Sequence, residues 1–152
     1  GLLRGLSPAD SRSRTESLVH AFELESAANR LVVDYSAGMT KKISLAAALI
    51  HSPELLVLDE PFDTIDPVSA GQLIDILLEY VQRGGTVLLS SHSMDLVQRV
   101  CDHVAVIVRG ELLASGTVSE VRGSITLEER FRDLVRGTPQ MEGLDWLDIS
   151  FN

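Results

Sequence analysis

The sequence predicts an α/β protein with a parallel sheet, and three features of the chain support this class. Short apolar segments at residues 55–58, 86–90 and 104–108 have the composition of buried strands, and helical patterns separate them. Alternating strands and helices are typical of parallel sheets, because a crossover helix returns the chain to the starting end of the sheet. The 152 residues, 45% hydrophobic and 23% charged, are enough for one ordinary domain with a sizeable core.

Two helices are predicted before the first strand. Over residues 13–31, apolar side chains recur at helical spacing on one face: Leu18, Ala21, Phe22, Ala28 and Leu31. Residues 39–50 continue with a second apolar stripe of Ile43, Ala46, Ala47 and Ile50. Pro53 follows this second stripe and predicts that the helix ends before it.

The first strand and the helix after it have clear boundaries. Residues 55–58 are apolar at every position, which favours a strand buried on both faces. Asp66 followed by Pro67 predicts a helix start, because Asp caps free N–H groups and Pro fits the first turn. Gly84 and Gly85 predict its end in the left-handed conformation. Its predicted buried face contains Ala70, Leu73, Ile74, Leu77, Leu78 and Val81.

The rest of the chain alternates in the same way. We expect a strand over residues 86–90, a helix over 93–100, a strand over 104–108 and a hairpin return over 111–114. Residues 117–120 and 126–129 both match a capping box, a Thr with a Glu three positions later, which predicts a short helix at each. Residues 138–152 are predicted to form a loose tail anchored by Trp146.

Composition excludes several function classes. The chain has 13 Lys and Arg against 22 Asp and Glu, a net charge of −9. This acidic balance argues against nucleic-acid binding and against polybasic attachment to an anionic membrane surface. No apolar run approaches the roughly 20 residues that a membrane helix needs. The single Cys101 cannot form an internal disulfide, which fits a reducing compartment.

The end of the first strand carries the strongest chemical signal, because Asp59 and Glu60 follow it directly. Ligands of open parallel sheets bind at the carboxyl ends of the strands. An Asp there can hold Mg²⁺ at a nucleotide phosphate, and a neighbouring Glu can orient and deprotonate an attacking water. The alternative is a buried strand that ends in two surface acids, and this segment alone leaves both interpretations open.

Two further segments can contact phosphate. Residues 35–39, Tyr-Ser-Ala-Gly-Met, precede a predicted helix whose N-terminus offers free N–H groups. Lys41 and Lys42 stand in the predicted first turn, where the helix dipole disfavours cations unless an anion is present. His92 follows the second strand and could bond a phosphate or hold a water. The alternatives are an ordinary Ser N-cap and a surface histidine.

In their order and spacing, these segments resemble the C-terminal part of the ATPase domain of ABC transporters. Residues 35–39 resemble the signature loop, usually LSGGQ, residues 55–60 resemble Walker B, residues 63–66 the D-loop, and His92 the switch histidine. The resemblance covers residues 10–121 and implies the parallel sheet of a P-loop NTPase. It assigns residues 1–53 to the end of the helical subdomain, 54–122 to the second half of the catalytic core, and 123–152 to a C-terminal helix and tail.

The resemblance implies a role for each site residue. Asp59 would support Mg²⁺, Glu60 would be the general base, and His92 would sense the γ-phosphate of ATP. Contacts to ATP or across the dimer would come from Ser36, Ala37, Gly38, Met39, Asp63 and Asp66. In this family two ATPase domains pair head to tail around two ATP molecules. They act with transmembrane permease subunits at the cytoplasmic face of the membrane.

The sequence departs from the family pattern at several positions. In the signature loop, Tyr35 stands for Leu, Ala37 for the first Gly and Met39 for Gln, and the D-loop begins with Asp63 rather than Ser. The larger departure is the absence of the Walker A pattern G-x-x-x-x-G-K-[ST] from these 152 residues. Only two lysines occur, at adjacent positions 41 and 42, and neither follows a Gly.

We therefore expect a fragment of an ATPase that drives transport and that alone binds ATP weakly without hydrolysing it. The start at Gly1, inside a helical pattern, favours an N-terminally truncated chain, and a half-sheet would expose an edge and an apolar face. Residues 126–136 and 143–147 resemble the tails of bacterial exporter ATPases, which favours export. Two alternatives remain: a natural non-catalytic subunit that donates only its signature loop, and an ABC-type ATPase of DNA repair, chromosome structure or translation.

Overall fold

The computed structural model describes residues 1–136, and the chain divides into two compact units, Gly1–His92 and Ser93–Asn152. The first unit contains α1 (Pro8–Ala21), α2 (Ala37–Leu49), β1 (Leu55–Leu58), α3 (Pro67–Gln82) and β2 (Thr86–Leu89). Short 3₁₀ turns lie at Leu2–Arg4, Glu25–Ala27 and Val32–Asp34. The second unit contains α4 (Met94–Val100), β3 (His103–Val108), β4 (Glu111–Thr117), α5 (Val118–Arg122) and α6 (Leu127–Arg136).

The sheet of the first unit is a parallel pair, as the sequence predicts for the first two strands. The third predicted strand, residues 104–108, does not join this sheet and pairs instead in the antiparallel hairpin of the second unit. Strands β1 and β2 pair in a register that runs from Leu55 opposite Thr86 to Leu58 opposite Leu89. Leu56 is buried, and it packs in a core with residues from the helices of the same unit. The buried members of this core are Phe22, Leu24, Leu45, Ala46, Leu56, Leu73 and Leu77. The helices therefore cover one face of the strand pair.

The opposite face of the strand pair is apolar and exposed. Leu55 and Val57 are 53% and 67% exposed, and Leu88 of the neighbouring strand is 61% exposed. The prediction that the first strand is buried on both faces is therefore wrong for the described residues. Its uniformly apolar composition led to that prediction, but the core of this unit lies on the Leu56 side alone.

The first helix is shorter than the predicted span of residues 13–31. Helix α1 begins after Ser7, whose hydroxyl accepts a hydrogen bond from Asp10 N at 3.1 Å, and it ends at Ala21. Glu23 turns the chain with a positive φ of 55°, and this turn buries Phe22 and Leu24 on either side of it. Leu31 is exposed, so it does not belong to the buried face.

The predicted boundaries of α3 are confirmed. Asp66 Oδ1 accepts hydrogen bonds from Val68 N at 3.1 Å and from Ser69 N at 3.0 Å, which caps the helix start. After the last turn, Gly84 has a positive φ of 94°. Leu73, Ile74 and Leu77 are buried, but the outer members of the predicted face, Leu78 and Val81, are exposed. In α2, the predicted core residue Ala47 is exposed as well.

The second unit is built on an antiparallel hairpin. Strands β3 and β4 pair from His103 opposite Thr117 to Val108 opposite Glu111, with a register shift at Val106/Ile107. The two turn residues, Arg109 and Gly110, both have positive φ, as a tight hairpin turn requires. The predicted hairpin is therefore confirmed, and its return strand extends beyond residue 114 to Thr117.

Both predicted capping boxes are present in this unit. The Thr117 hydroxyl accepts from Glu120 N, while Glu120 Oε2 accepts from Thr117 N. Thr126 and Glu129 make the same reciprocal pair before α6. The core of the unit contains Val97, Val106, Val121 and Leu127, with Phe131 and Leu134 of α6 packed against it.

Three sequence features remain. Cys101, at the end of α4, is half-buried against the core of the second unit, and burial raises the pKa of its thiol. Within residues 1–136, the helices are too short or too polar to cross a membrane. The predicted tail over residues 138–152, its anchor Trp146 and the tail segment 143–147 lie outside the described residues.

Candidate functional site

Polar side chains meet where β1 and β2 end. Ser90 N donates to Leu58 O at 2.9 Å, so the parallel ladder continues one step past the strands. This pairing sets Ser90 beside Asp59 and Glu60. The Ser90 hydroxyl donates to Asp59 Oδ1 at 2.5 Å and accepts from Glu60 N at 2.8 Å. The structure therefore brings residues from two strand ends into one hydrogen-bonded cluster.

Glu60 has an unusual backbone conformation. Its φ is +43°, a region that costs a residue other than Gly of the order of 1–3 kcal/mol unless its surroundings impose it. The Glu60 carbonyl accepts a short hydrogen bond from Lys41 Nζ of α2 and a second bond from Asp63 N at 3.2 Å. Hydrogen bonds thus hold both the N–H and the C=O of this residue.

The Glu60 carboxylate faces His92. Glu60 Oε2 lies 3.1 Å from His92 Nδ1, with the two side chains 35% and 74% exposed. The hydrogen bond to Glu60 raises the pKa of His92 above its ordinary value, and the charges of Glu60 and Asp63 raise this pKa further. A carboxylate and an imidazole in contact at a solvent-accessible site can accept, hold and pass a proton.

The loop at residues 35–39 caps α2. Ser36 has extended backbone angles, and its hydroxyl accepts a hydrogen bond from Met39 N at 3.3 Å. Tyr35 fixes the preceding turn, because its hydroxyl donates to Ala27 O at 2.8 Å. The N-cap interpretation of Ser36 is confirmed. Its contact with phosphate stays a prediction, and the side chain is exposed and open to solvent.

The same loop adjoins the segment before α3 in a shallow groove of about 310 Å³. A methyl group added at Gly38 would meet Ile65 Cγ2 at 3.9 Å, which shows how closely the loop and this segment approach. The groove brings together the predicted signature residues and Asp66. Its lining residues are Ser36, Ala37, Gly38, Met39, Lys42, Thr64, Asp66 and Ser69.

The two lysines of α2 do not lie in the first turn of the helix, contrary to the prediction from the sequence. The helix begins at Ala37, so Lys41 and Lys42 lie in its second turn rather than its first. Lys41 donates to the Glu60 carbonyl, and Lys42, which is buried, donates from Nζ to Gln72 Oε1 at 2.8 Å. Both amino groups therefore have partners within the protein, and no bound anion is required to explain the two charges.

Asp66 uses its carboxylate to cap α3. The hydrogen bonds from Ser69, and then those from Val68, lower the pKa of Asp66 below its ordinary value. The carboxylate is fully exposed, so it can also reach outward from the helix start. Asp63 lies at the start of the same segment, and its charge contributes to the raised pKa of His92.

Asp59 is the predicted metal ligand of the site. Within residues 1–136, no group of three or more His, Cys, Asp or Glu side chains could hold a metal ion on its own. Mg²⁺ is commonly held by one or two carboxylates together with phosphate oxygens and water. Asp59, a carboxylate at the end of β1 whose Oδ1 accepts from Ser90, fits such a shared site.

Two residues, Ser90 and Lys41, were not predicted to contact Glu60. A signal for Ser90 exists, because it directly follows a strand parallel to the one that ends at Asp59. Lys41 had no such signal, because its contact with Glu60 joins residues 19 positions apart on different elements. The groove adds Thr64 and Ser69 to the residues near the signature loop.

The comparisons with known proteins agree with these motifs. A family described as “AAA domain, putative AbiEii toxin, Type IV TA system” matches residues 1–98. The chain is 39% identical over 125 residues to the daunorubicin/doxorubicin resistance ATP-binding protein DrrA of Streptomyces peucetius, covering 82% of this chain and 38% of that protein. It is 33% identical over 120 residues to the methionine import ATP-binding protein MetN 1 of Bacillus cereus (strain ATCC 10987 / NRS 248), covering 78% and 35%.

A solved structure described as “Structure of ATP binding subunit of ABC transporter” is similar with a TM-score of 0.79 and 29% identity. The likeness covers 86% of this chain and 57% of that one, and it confirms the predicted fold class. The chain spans about a third to a half of the length of the curated relatives it matches.

Proposed function

We propose that this chain, which belongs to the ABC ATPase domains, is part of an ATP-binding subunit that couples ATP hydrolysis to transport. One observation carries the proposal. A carboxylate pair, Asp59 and Glu60, ends β1, and the Glu60 carboxylate contacts His92 from the end of the neighbouring parallel strand. This arrangement supports nucleotide hydrolysis at the carboxyl ends of the strands, where one carboxylate can hold Mg²⁺ and the other can orient the attacking water.

Each residue of the cluster has its own role in the proposed hydrolysis. Glu60 orients an attacking water and takes its proton. Its carboxylate is accessible, and hydrogen bonds fix its amide and its carbonyl. His92 stands beside it as a hydrogen-bonding group for the γ-phosphate. Asp59 would hold Mg²⁺ together with phosphate oxygens, and the ion would supply charge neutralisation at the phosphates.

The groove beside the signature loop serves a second ATP molecule. Ser36 presents an exposed hydroxyl and Gly38 a backbone without a side chain at the start of α2, where free N–H groups favour an anion. Ala37, Met39, Asp63 and Asp66 complete this surface toward a second ATPase domain. In the proposed head-to-tail pair, each signature loop then reaches the ATP of its partner.

Transport is proposed from the relatives. One is a drug-resistance ATP-binding protein and the other a methionine import ATP-binding protein, so the names support transport in either direction. We favour export, because residues 126–136 resemble the tails of bacterial exporter ATPases. Permease subunits in the membrane would then hold this ATPase at the cytoplasmic face.

One experiment with two variants tests the function. In an ATPase that joins this chain to a Walker A segment, Glu60→Gln should abolish hydrolysis, because an amide cannot take a proton, while ATP still binds and closes the dimer. Ser36→Arg should instead block ATP-dependent dimerisation, because it places bulk at the partner's phosphate. The measurements are phosphate release and the dimer fraction with ATP.

The two variants also separate the alternatives. Full turnover in Glu60→Gln would show that Glu60 is not the base. If Ser36→Arg alone abolished hydrolysis and Glu60→Gln did not, the chain would be a non-catalytic subunit that donates its signature loop. Dimerisation that survives Ser36→Arg would contradict the role of residues 36–39.

A further inference from the structure

We propose that Lys41 and Ser90 are positioning residues that lock the backbone of Glu60 and thereby aim its carboxylate at His92. This inference rests on the proposed function in so far as Glu60 is the base. The geometry itself stands on three contacts of one residue, made by its N–H, its C=O and its side chain.

The Ser90 hydroxyl connects the two acidic residues. It accepts from Glu60 N at 2.8 Å and donates to Asp59 Oδ1 at 2.5 Å. A hydroxyl has one hydrogen to donate and lone pairs to accept, so a single serine satisfies both contacts at once. Alanine at this position would leave the Glu60 amide without its partner, whereas threonine keeps the hydroxyl.

Lys41 holds the other side of the same peptide segment. Its Nζ donates to the Glu60 carbonyl across 19 positions of sequence, from the second turn of α2 to the end of β1. Glu60 has a positive φ that is rare for residues with a side chain, so we expect other elements to hydrogen-bond its amide and carbonyl. Ser90 and Lys41 make these two hydrogen bonds.

Lys41 also links the two halves of the candidate site. Helix α2 begins at the Ser36 cap, and Lys41 lies on it five positions further along the chain. Lys41 therefore connects the helix that begins at the signature loop to the Glu60 carbonyl.

The test is an NMR titration of His92 in the 152-residue chain, together with hydrogen exchange at the Glu60 amide. His92 reports the orientation of the Glu60 carboxylate, because the hydrogen bond to Glu60 raises the pKa of His92 and the charges of Glu60 and Asp63 raise it further. We expect Ser90→Ala to speed exchange of the Glu60 amide about five- to tenfold, the equivalent of one lost hydrogen bond. The same variant should return the pKa of His92 toward 6.5.

Lys41→Met tests the proposal by the direction in which the pKa of His92 changes. Removing a nearby cation would by itself raise the pKa of His92, since less positive charge then opposes its protonation. If Lys41 aims Glu60, the pKa falls instead. Lys41→Arg and Ser90→Thr keep the donor and the hydroxyl, and both should restore values close to the wild type. Ser44→Ala removes a hydroxyl of α2 that donates to Thr40 O of the same helix, and it serves as the matched control.

The inference is overturned if Lys41→Met raises the pKa of His92 or leaves it unchanged, or if Ser90→Ala leaves the Glu60 amide exchange unchanged. These readouts do not depend on hydrolysis. A chain that responds as expected, in a protein whose Glu60→Gln variant keeps full turnover, would support the positioning and remove Glu60 as the base.

Discussion

Glu60 shows how one residue can be fixed while its functional group stays accessible. Its amide and carbonyl are hydrogen-bonded to Ser90 and Lys41, and these bonds stabilise its unfavourable positive φ. Its carboxylate remains 35% exposed and contacts only one titratable side chain at ion-pair distance among the described residues, His92. A fixed backbone with an accessible carboxylate is what a general base requires, because geometry matters before acidity.

His92→Ala is expected to lower turnover of the complete ATPase by about 10² to 10⁴-fold, the range for a positioned proton-transfer or charge-sensing group. The reason is its contact with Glu60 at the strand end, where the γ-phosphate would lie. Steady-state phosphate release measures the effect, and His51→Ala, outside this cluster, is the control. A His92→Ala enzyme with the wild-type rate would contradict the role.

The pH dependence of the contact follows from the sign of the shift. The pKa of His92 is raised in the folded chain above its ordinary 6.5, first by the hydrogen bond to Glu60 and then by its charge. The contact therefore stabilises the folded chain fully below the unfolded pKa, and this contribution is lost as pH rises through the folded pKa. The stability advantage over His92→Ala should accordingly shrink as pH rises above 6.5.

The strand pair of the first unit separates a buried face from an exposed one. Leu56 is 4% exposed in the core, and the next residue, Val57, is 67% exposed on the opposite face. Adjacent strand residues point to opposite sides, so two neighbouring apolar residues differ completely in burial. The exposed side, with Leu55 and Leu88, is apolar surface of the kind that marks a contact face.

Matched substitutions test this difference. Leu56→Thr should cost about 2–5 kcal/mol of unfolding free energy, as truncation of a buried leucine does. Val57→Thr keeps a β-branched side chain on the exposed face and should change stability by about 0.5 kcal/mol or less. Urea denaturation of the 152-residue chain measures both values. Equal costs would mean that both faces of β1 are covered in solution.

Local sequence signals correctly predicted the helices that begin or end at a capping residue or a glycine. Asp66 and Gly84 bound α3, and the Thr117 and Thr126 capping boxes open α5 and α6, because each signal acts within three or four residues. The span of α1 was wrong, because the turn at Glu23 allows Phe22 and Leu24 to be buried outside a helix. Helical spacing alone cannot reveal such a turn.

The candidate site was only partly predictable for the same reason. Asp59, Glu60 and His92 follow apolar strands, so the strand-end rule finds them and the parallel register brings them together. The contacts of Glu60 with Ser90 and Lys41 join residues 30 and 19 positions apart. The contact with Ser90 follows from the parallel register of β1 and β2. The contact with Lys41 depends on how α2 packs against the strands, and no local pattern encodes that packing.

At the scale of the whole chain, charge limits what the 152 residues can do with a nucleotide. The net charge is −9, and the only two lysines both lie on α2. Lys41 donates to the Glu60 carbonyl and Lys42 to Gln72 Oε1, so both amino groups are engaged inside the first unit. Neither follows a glycine as a Walker A lysine does, and the loop that cradles the β- and γ-phosphates has no counterpart in this sequence.

The isolated 152-residue chain is therefore expected to release no phosphate from Mg²⁺-ATP above a buffer control. It holds the proposed base at Glu60 and the proposed metal ligand at Asp59, but stabilisation of the transferring phosphoryl group also needs a cradle of backbone N–H groups and a lysine. Glu60→Gln of the same chain is the control, because it removes base catalysis and leaves any contaminating ATPase untouched. Mg²⁺-dependent turnover that disappears in Glu60→Gln would show that these residues hydrolyse ATP without a Walker A loop.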